Sequence, residues 1–146
     1  MAIRNIVGRD DPILRQVCRP VTDFNAALHT LLDDMTETMF KADGVGLAAN
    51  QVGSLKRVCI VCDRDDNVFE LVNPLIVGTS GEQVFDEGCL SIPGLRQEVT
   101  RPQKIEVKAQ DRLGKEFFLT AEDFFSVVIC HEIDHLNGIL FIDRAK

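Results

Sequence analysis

The chain has 146 residues, 45% hydrophobic and 27% charged, which supports one packed domain over residues 1–146 and argues against disorder. Sixteen Lys and Arg stand against 23 Asp and Glu; the resulting charge of −7 argues against a nucleic-acid binder, which needs clustered cations. No apolar run approaches the roughly 18–20 residues of a membrane span, and Met1-Ala2-Ile3-Arg4-Asn5 lacks the apolar stretch of a secretory signal. A cytoplasmic protein with five reduced cysteines is expected.

The chain opens with a turn-like stretch through Asp10-Asp11-Pro12, and Pro20 stops what precedes it. Phe24, Leu28, Leu31, Leu32, Met35 and Met39 then recur three or four residues apart, an amphipathic helix for which Thr22 or Asp23 can serve as cap. It fades at Asp43-Gly44 into the glycine-rich segment Gly44 to Gly53. Residues 57–62 and 68–72 flank Asp63-Arg64-Asp65-Asp66-Asn67 and read as a hairpin. Asp86 to Gly94 reads as an exposed, specific turn because of its glycines and proline. Ile105, Val107 and Ala109 alternate with polar neighbours, and a turn at Asp111 to Gly114 leads to a short strand at 116–119. Thr120-Ala121-Glu122-Asp123 resembles a capping box ahead of a last helix, which Gly138 ends. Strands in the middle and a buried helix last indicate an α+β fold, mostly antiparallel, and not an alternating parallel one.

His131-Glu132-Ile133-Asp134-His135 is an H-E-x-x-H sequence on that last helix. Residues i and i+4 share one face, so both imidazoles can meet one metal ion, and Glu132 is placed to take a proton from a water there. At this composition about 0.004 chance matches are expected. A catalytic site of this kind needs a third protein ligand. Phe141 occupies the position where longer metalloprotease patterns carry a third His, and no Glu follows Glu132. Asp143, His29 and the cysteines are the remaining candidates. Cys59 and Cys62, three apart on a strand, face opposite sides and read as packing, as do Cys18 and Cys130. His29 reads as a surface residue. Cys89 stands out because of its turn.

Three separated blocks, in order, carry a resemblance to the peptide deformylases, bacterial-type enzymes that remove the formyl group from N-formylmethionyl chains. Gly44-Val45-Gly46-Leu47-Ala48-Ala49-Asn50-Gln51 is similar to the family's glycine-alanine-glutamine block. Glu87-Gly88-Cys89-Leu90-Ser91 is identical to its cysteine block, and His131 to Leu136 is similar to its helix block. The similarity extends over essentially the whole chain, including Thr100-Arg101-Pro102. The resemblance implies a metal-dependent hydrolase that releases formate and a free N-terminal methionine. It implies Cys89, His131 and His135 as ligands of one divalent metal, Glu132 as base, and the Gln51 side chain and Leu90 backbone N–H as oxyanion donors. It suggests Fe²⁺ as the ion, although the ligand set equally suits Zn²⁺ or another divalent ion.

For the substrate, Val127 and Val128 share the His131 face, and with Phe124 one turn earlier they can line an apolar pocket for a methionine side chain. Val45 and Phe85 are similar to family positions lining that pocket. Gly46 and Gly88 are expected to let the substrate backbone approach closely. Glu87 is taken with the same cleft, and Arg101 is a candidate partner for its carboxylate. Asn50, Asp123 and Cys130 depart from the commonest family residues without removing a ligand, the base or an oxyanion donor. The expected partners are N-formylmethionyl nascent peptides. The short segment after His135 and the acidic balance favour a transient ribosome encounter over stable docking. A monomer is expected. An alternative is a metalloamidase or peptidase with another small N-acyl substrate. A non-catalytic metal-binding module is a third reading, against which Glu132 and Gln51 both speak.

Overall fold

A computed structural model describes residues 2–145. Seven strands and two helices follow one another as α1 (Ala26–Lys41), β1 (Gly46–Ala48), β2 (Val58–Cys62), β3 (Val68–Ser80), β4 (Gln83–Cys89), β5 (Ile92–Arg101), β6 (Lys104–Gln110), β7 (Glu116–Glu122) and α2 (Asp123–Leu136). Five strands form one antiparallel sheet in the order β1-β2-β3-β6-β7, and β4-β5 is a separate antiparallel hairpin. The expected α+β class, antiparallel around a C-terminal helix, is what is found.

β2 shows why the sheet sits where it does. Its sequence Val-Cys-Ile-Val-Cys is buried at every position, because each face meets a helix. Val58, Ile60 and Cys62 pack with Leu28, Leu31, Leu32, Met35 and Met39 of α1. Cys59 and Val61 face the other way, into the cluster formed with Val128, Ile129, Ile133 and Leu136 of α2. The two cysteines thus lie on opposite faces, and each buried Leu or Met of α1 contributes on the order of 1.5–3 kcal/mol. β6 obeys the same period, with Ile105, Val107 and Ala109 inward.

Three local expectations are corrected. The α1 cap is Asn25, whose side chain accepts from Leu28 N–H at 3.0 Å, and not Thr22 or Asp23. Thr120 to Glu122 is not a capping box. These residues stay paired to β6, and α2 starts abruptly with Asp123 at φ 56° and no side-chain cap. Asp86 to Gly94 does contain a specific turn, but it is confined to Leu90-Ser91 at the tip of the β4-β5 hairpin, where Cys89 pairs Ile92, and Glu87, Ser91 and Ile92 are buried rather than exposed. Two-residue connections are the tightest that join antiparallel strands. The terminating role of Gly138 holds: it has φ 76°, and its N–H donates to the His135 carbonyl at 3.0 Å.

Candidate metal centre and active site

Two long-range packings build the site. α2 presents His131, Glu132 and His135 from the core, and the β4-β5 hairpin brings Cys89 over them at the end of β4. The Sγ of Cys89 and one ring nitrogen each of His131 and His135 lie within 4.8 Å of one another. Cys89 Sγ is 3.3 Å from His135 Nε2. Asp143 is elsewhere, paired with Arg15 and accepting from Leu140 N–H. His29 is also distant from this cluster, its Nε2 2.7 Å from the Arg112 carbonyl oxygen. The remaining cysteines are buried and unbonded to one another.

The neighbours orient these groups. His131 Nδ1 lies 3.0 Å from Glu87 Oε1. The carboxylate anchors Nδ1–H, so Nε2 is the nitrogen turned toward the cluster. Against the effect of burial, contacts with Cys89 and Glu87 raise the His131 pKa to about 10 in the metal-free chain, and a bound metal would take the place of the Nε2 proton. Glu87 is held in turn by Arg101, which donates from Nε to Oε2 at 2.8 Å and from its Nη2 to Oε1 at 2.9 Å. Arg101 also donates to Asp134 Oδ2 at 2.6 Å. Burial opposes the charge on Glu87, but the bonds from Arg101 and His131 hold its carboxyl below the usual range.

Glu132 behaves oppositely. Burial pushes its carboxyl up to about 7, and Oε1 has no hydrogen-bond partner. An unpaired buried carboxyl with a value near neutrality suits a group that takes and returns a proton. His135 is driven well below its ordinary value by burial and by neighbouring His131. It is therefore a neutral imidazole, the form that can ligate a metal.

Gln51 belongs to the 3₁₀ turn Ala49–Val52 that follows β1. Its Oε1 accepts from Ala48 N–H at 3.0 Å, which settles the amide orientation and sends Nε2–H₂ toward Ser91 Oγ at 3.1 Å and Cys89 Sγ at 3.7 Å. Next to it, Asn50 donates to the His135 carbonyl at 2.6 Å, tying this turn to the end of α2.

A cleft of about 430 Å³ opens onto these groups. Val45, Gly46, Gln51, Phe85, Glu87, Gly88, Cys89, Leu90, Phe124, Val127, Val128, His131 and Glu132 all line it. His135 lies beneath, almost wholly buried. Phe85 and Phe124 pack with ring centroids 5.0 Å apart, and the Arg64 guanidinium sits 5.4 Å above the Phe124 ring. Two expectations change in detail. The space left by the missing side chain of Gly46 is filled by Glu132, and that at Gly88 by Arg96. Glu87 borders the cleft, but its oxygens are engaged by Arg101 and His131. Sequence reasoning gave no role to Ser91, Asp134 or Asn50. Only the position of Asp134 inside the H-E-x-x-H stretch hinted at one.

The sequence profile of the polypeptide deformylases matches residues 3–146. The chain belongs to that family. It is 53% identical over 145 residues to a peptide deformylase of Thermoanaerobacter pseudethanolicus, covering 99% of this chain and 91% of the relative. It is 51% identical to one of Heliobacterium modesticaldum, covering 100% and 96%. A crystal structure of a peptide deformylase from Legionella pneumophila superposes with a TM-score of 0.95 at 44% identity, covering 99% of this chain and 87% of that one. The peptide deformylase of Thermotoga maritima gives 0.96 at 38%, covering 100% and 99%. Peptide deformylases are hydrolases, and deformylation is the activity of the family.

Proposed function

We propose that this deformylase-family chain hydrolyses the formyl group from N-formylmethionyl peptides, with Cys89, His131 and His135 holding one divalent metal ion. The observation that carries this reading is the convergence of one thiol and two imidazoles at the floor of a cleft beside an unpaired, buried Glu132. The donor set fits such an ion: the thiolate and the two ring nitrogens form three protein ligands, with His131 oriented by a carboxylate. A divalent ion bound there supplies Lewis acidity and lowers the pKa of water toward neutrality. Fe²⁺ is the ion the family resemblance suggests; Zn²⁺ suits the same atoms.

The chain's own groups do the rest. Glu132 accepts a proton from the water that attacks the formyl carbon. The resulting oxyanion is met by Gln51 Nε2–H₂, whose direction Ala48 fixes, and by the Leu90 backbone N–H. As the C–N bond breaks, Glu132 passes the proton to the departing α-amine, leaving formate and a free N-terminus. Val45, Phe85, Phe124, Val127 and Val128 form the apolar wall against which a methionine side chain packs. Residues 1–146 act in this reading as one catalytic domain, a cytoplasmic monomer that meets nascent chains in a transient ribosome encounter. Among the described residues no helix is long and apolar enough to cross a membrane.

Formate release from a formyl-Met peptide, measured anaerobically with iron-loaded protein, tests the activity. The wild type should release formate and Glu132→Ala should not. No formate from the wild type refutes the activity, and equal rates refute the base. Loss of bound metal in Cys89→Ala is expected; unchanged metal content refutes the ligand set.

A further inference from the structure

Behind the site lies a line of charges that ends at the surface. His131 contacts Glu87, Glu87 contacts Arg101, and Arg101 contacts Asp134. The two carboxylates and the guanidinium are all buried. Arg101 is shared between these two buried carboxylates. Glu87 has a second partner in His131, so the carboxylate short of a partner is Asp134, and a buried carboxylate left short of a partner is costly away from water. Arg144 supplies the missing cation. Its Nε donates to Asp134 Oδ2 at 2.6 Å and its Nη2 to Oδ1 at 3.1 Å, a two-point clasp on the same carboxylate that Arg101 uses. Two-point clasps of this kind fix geometry as well as charge.

The segment carrying Arg144 is itself pinned. Its N–H donates to the Phe141 carbonyl at 3.0 Å, Arg15 pairs with Asp143, and Ala145 bridges Val99 of β5. Phe141 stacks on the His131 ring with centroids 5.9 Å apart. The guanidinium stays about half exposed, side-chain accessibility 46%, so it is not required to fill the core.

We propose that Arg144 is a positioning residue for the metal centre: by neutralising Asp134 it leaves Arg101 free to hold Glu87, and through Glu87 it fixes the His131 ring. Without Arg144, Asp134 draws Arg101 more strongly to itself and away from Glu87. The inference rests on His131 being a metal ligand and goes beyond that reading by extending its support to a residue 13 positions later in the chain.

The test is Co²⁺ affinity by competition with a chelator, read together with the cobalt–thiolate absorption band, in the full chain. Arg144→Met should weaken binding about tenfold, the low end of what removing outer support costs a metal site, and Arg144→Lys should recover part of the loss. The deciding variant is Asp134→Asn with Arg144→Met. Asn still offers an oxygen to Arg101 but needs no neutralising charge, so affinity should return to within about threefold of wild type. Wild-type affinity in Arg144→Met, or a double variant no better than the single one, overturns the proposal; the latter result would make Arg144 a structural clasp for its segment. Cys89→Ser separates the two readings: if it binds Co²⁺ like wild type, the ligand set itself is wrong and this inference falls with it.

Discussion

The Glu132 carboxylate rests against the α-carbon of Gly46: a Cβ placed on Gly46 would lie 2.6 Å from Glu132 Oε2 and 2.9 Å from its Cγ. Gly46 opens β1, and Glu132 lies in the third turn of α2. The glycine thus provides the space in which the proposed base sits. With both Cγ and Oε2 inside contact distance, the side chain cannot escape by rotating its end alone. Gly46→Ala is expected to lower kcat by at least about tenfold, because a small misplacement of an acid–base group is expensive in rate, with KM nearly unchanged. A variant with normal kcat would show that Glu132 adapts and that its position is not critical.

The raised pKa of Glu132 makes a prediction for the metal-free protein. A folded-state value of about 7 against the ordinary 4.5 means that the folded chain holds this proton more tightly than the unfolded one. The favourable contribution is complete below pH 4.5 and is lost as pH rises through 7. Glu132→Gln keeps the shape and removes the titration. Its unfolding free energy in urea should match wild type near pH 4 and exceed it by about 3 kcal/mol at pH 8. A wild type as stable as the variant at pH 8 would mean that the carboxylate is solvated in the folded chain.

Gln51 is anchored at its oxygen by Ala48 N–H, so Gln51→Glu can keep that bond while losing the amide donors aimed at the cleft. A fall of about 10²–10³ in kcat is expected, as for other single oxyanion donors. Steady-state kinetics with a formyl-Met peptide gives the answer directly, and a fall of less than about threefold would remove Gln51 from the oxyanion site.

Gly138 and Gly53 separate conformation from space. Both have positive φ, 76° and 85°. A Cβ at Gly53 meets nothing within 4 Å, whereas one at Gly138 would lie 2.6 Å from the Arg15 carbonyl oxygen, a backbone atom. Gly53→Ala should cost about 1–2 kcal/mol, the usual penalty for a left-handed alanine. Gly138→Ala should cost clearly more, about 3–4 kcal/mol, because strain and clash add. Equal losses in denaturant melts would show that the Arg15 segment yields freely.

Much of the molecule is legible in its residues alone. The helical spacing of Leu28, Leu31, Leu32, Met35 and Met39 announces α1, and the alternation of β6 is visible because one of its faces is wet. The i and i+4 histidines share a helix face by geometry that needs no tertiary contact. Boundaries were harder to read. The cap fell on Asn25 because its side chain, and not that of Thr22 or Asp23, reaches the Leu28 N–H, and Thr120 to Glu122 remained a strand because pairing with β6 outweighs a local cap. The turn at Leu90-Ser91 was legible from the glycines and proline around it, but the β4 and β5 strands on either side of it were not.

By itself the sequence determined the two histidines, the glutamate between them, the apolar stripe of α2 and the buried run of β2, all set by local spacing and hydrophobic pattern. Local spacing left the third member open and the family resemblance implied Cys89; the tertiary structure brings Cys89, 42 residues before His131, into the cluster and puts Asp143 elsewhere. It also decided that Gly46 serves Glu132, and that Glu87, Arg101, Asp134 and Arg144 form one line. Those relationships depend on how the hairpin, the sheet and α2 pack. Packing distances and the energetics of buried charge exist only once separate segments have been brought together.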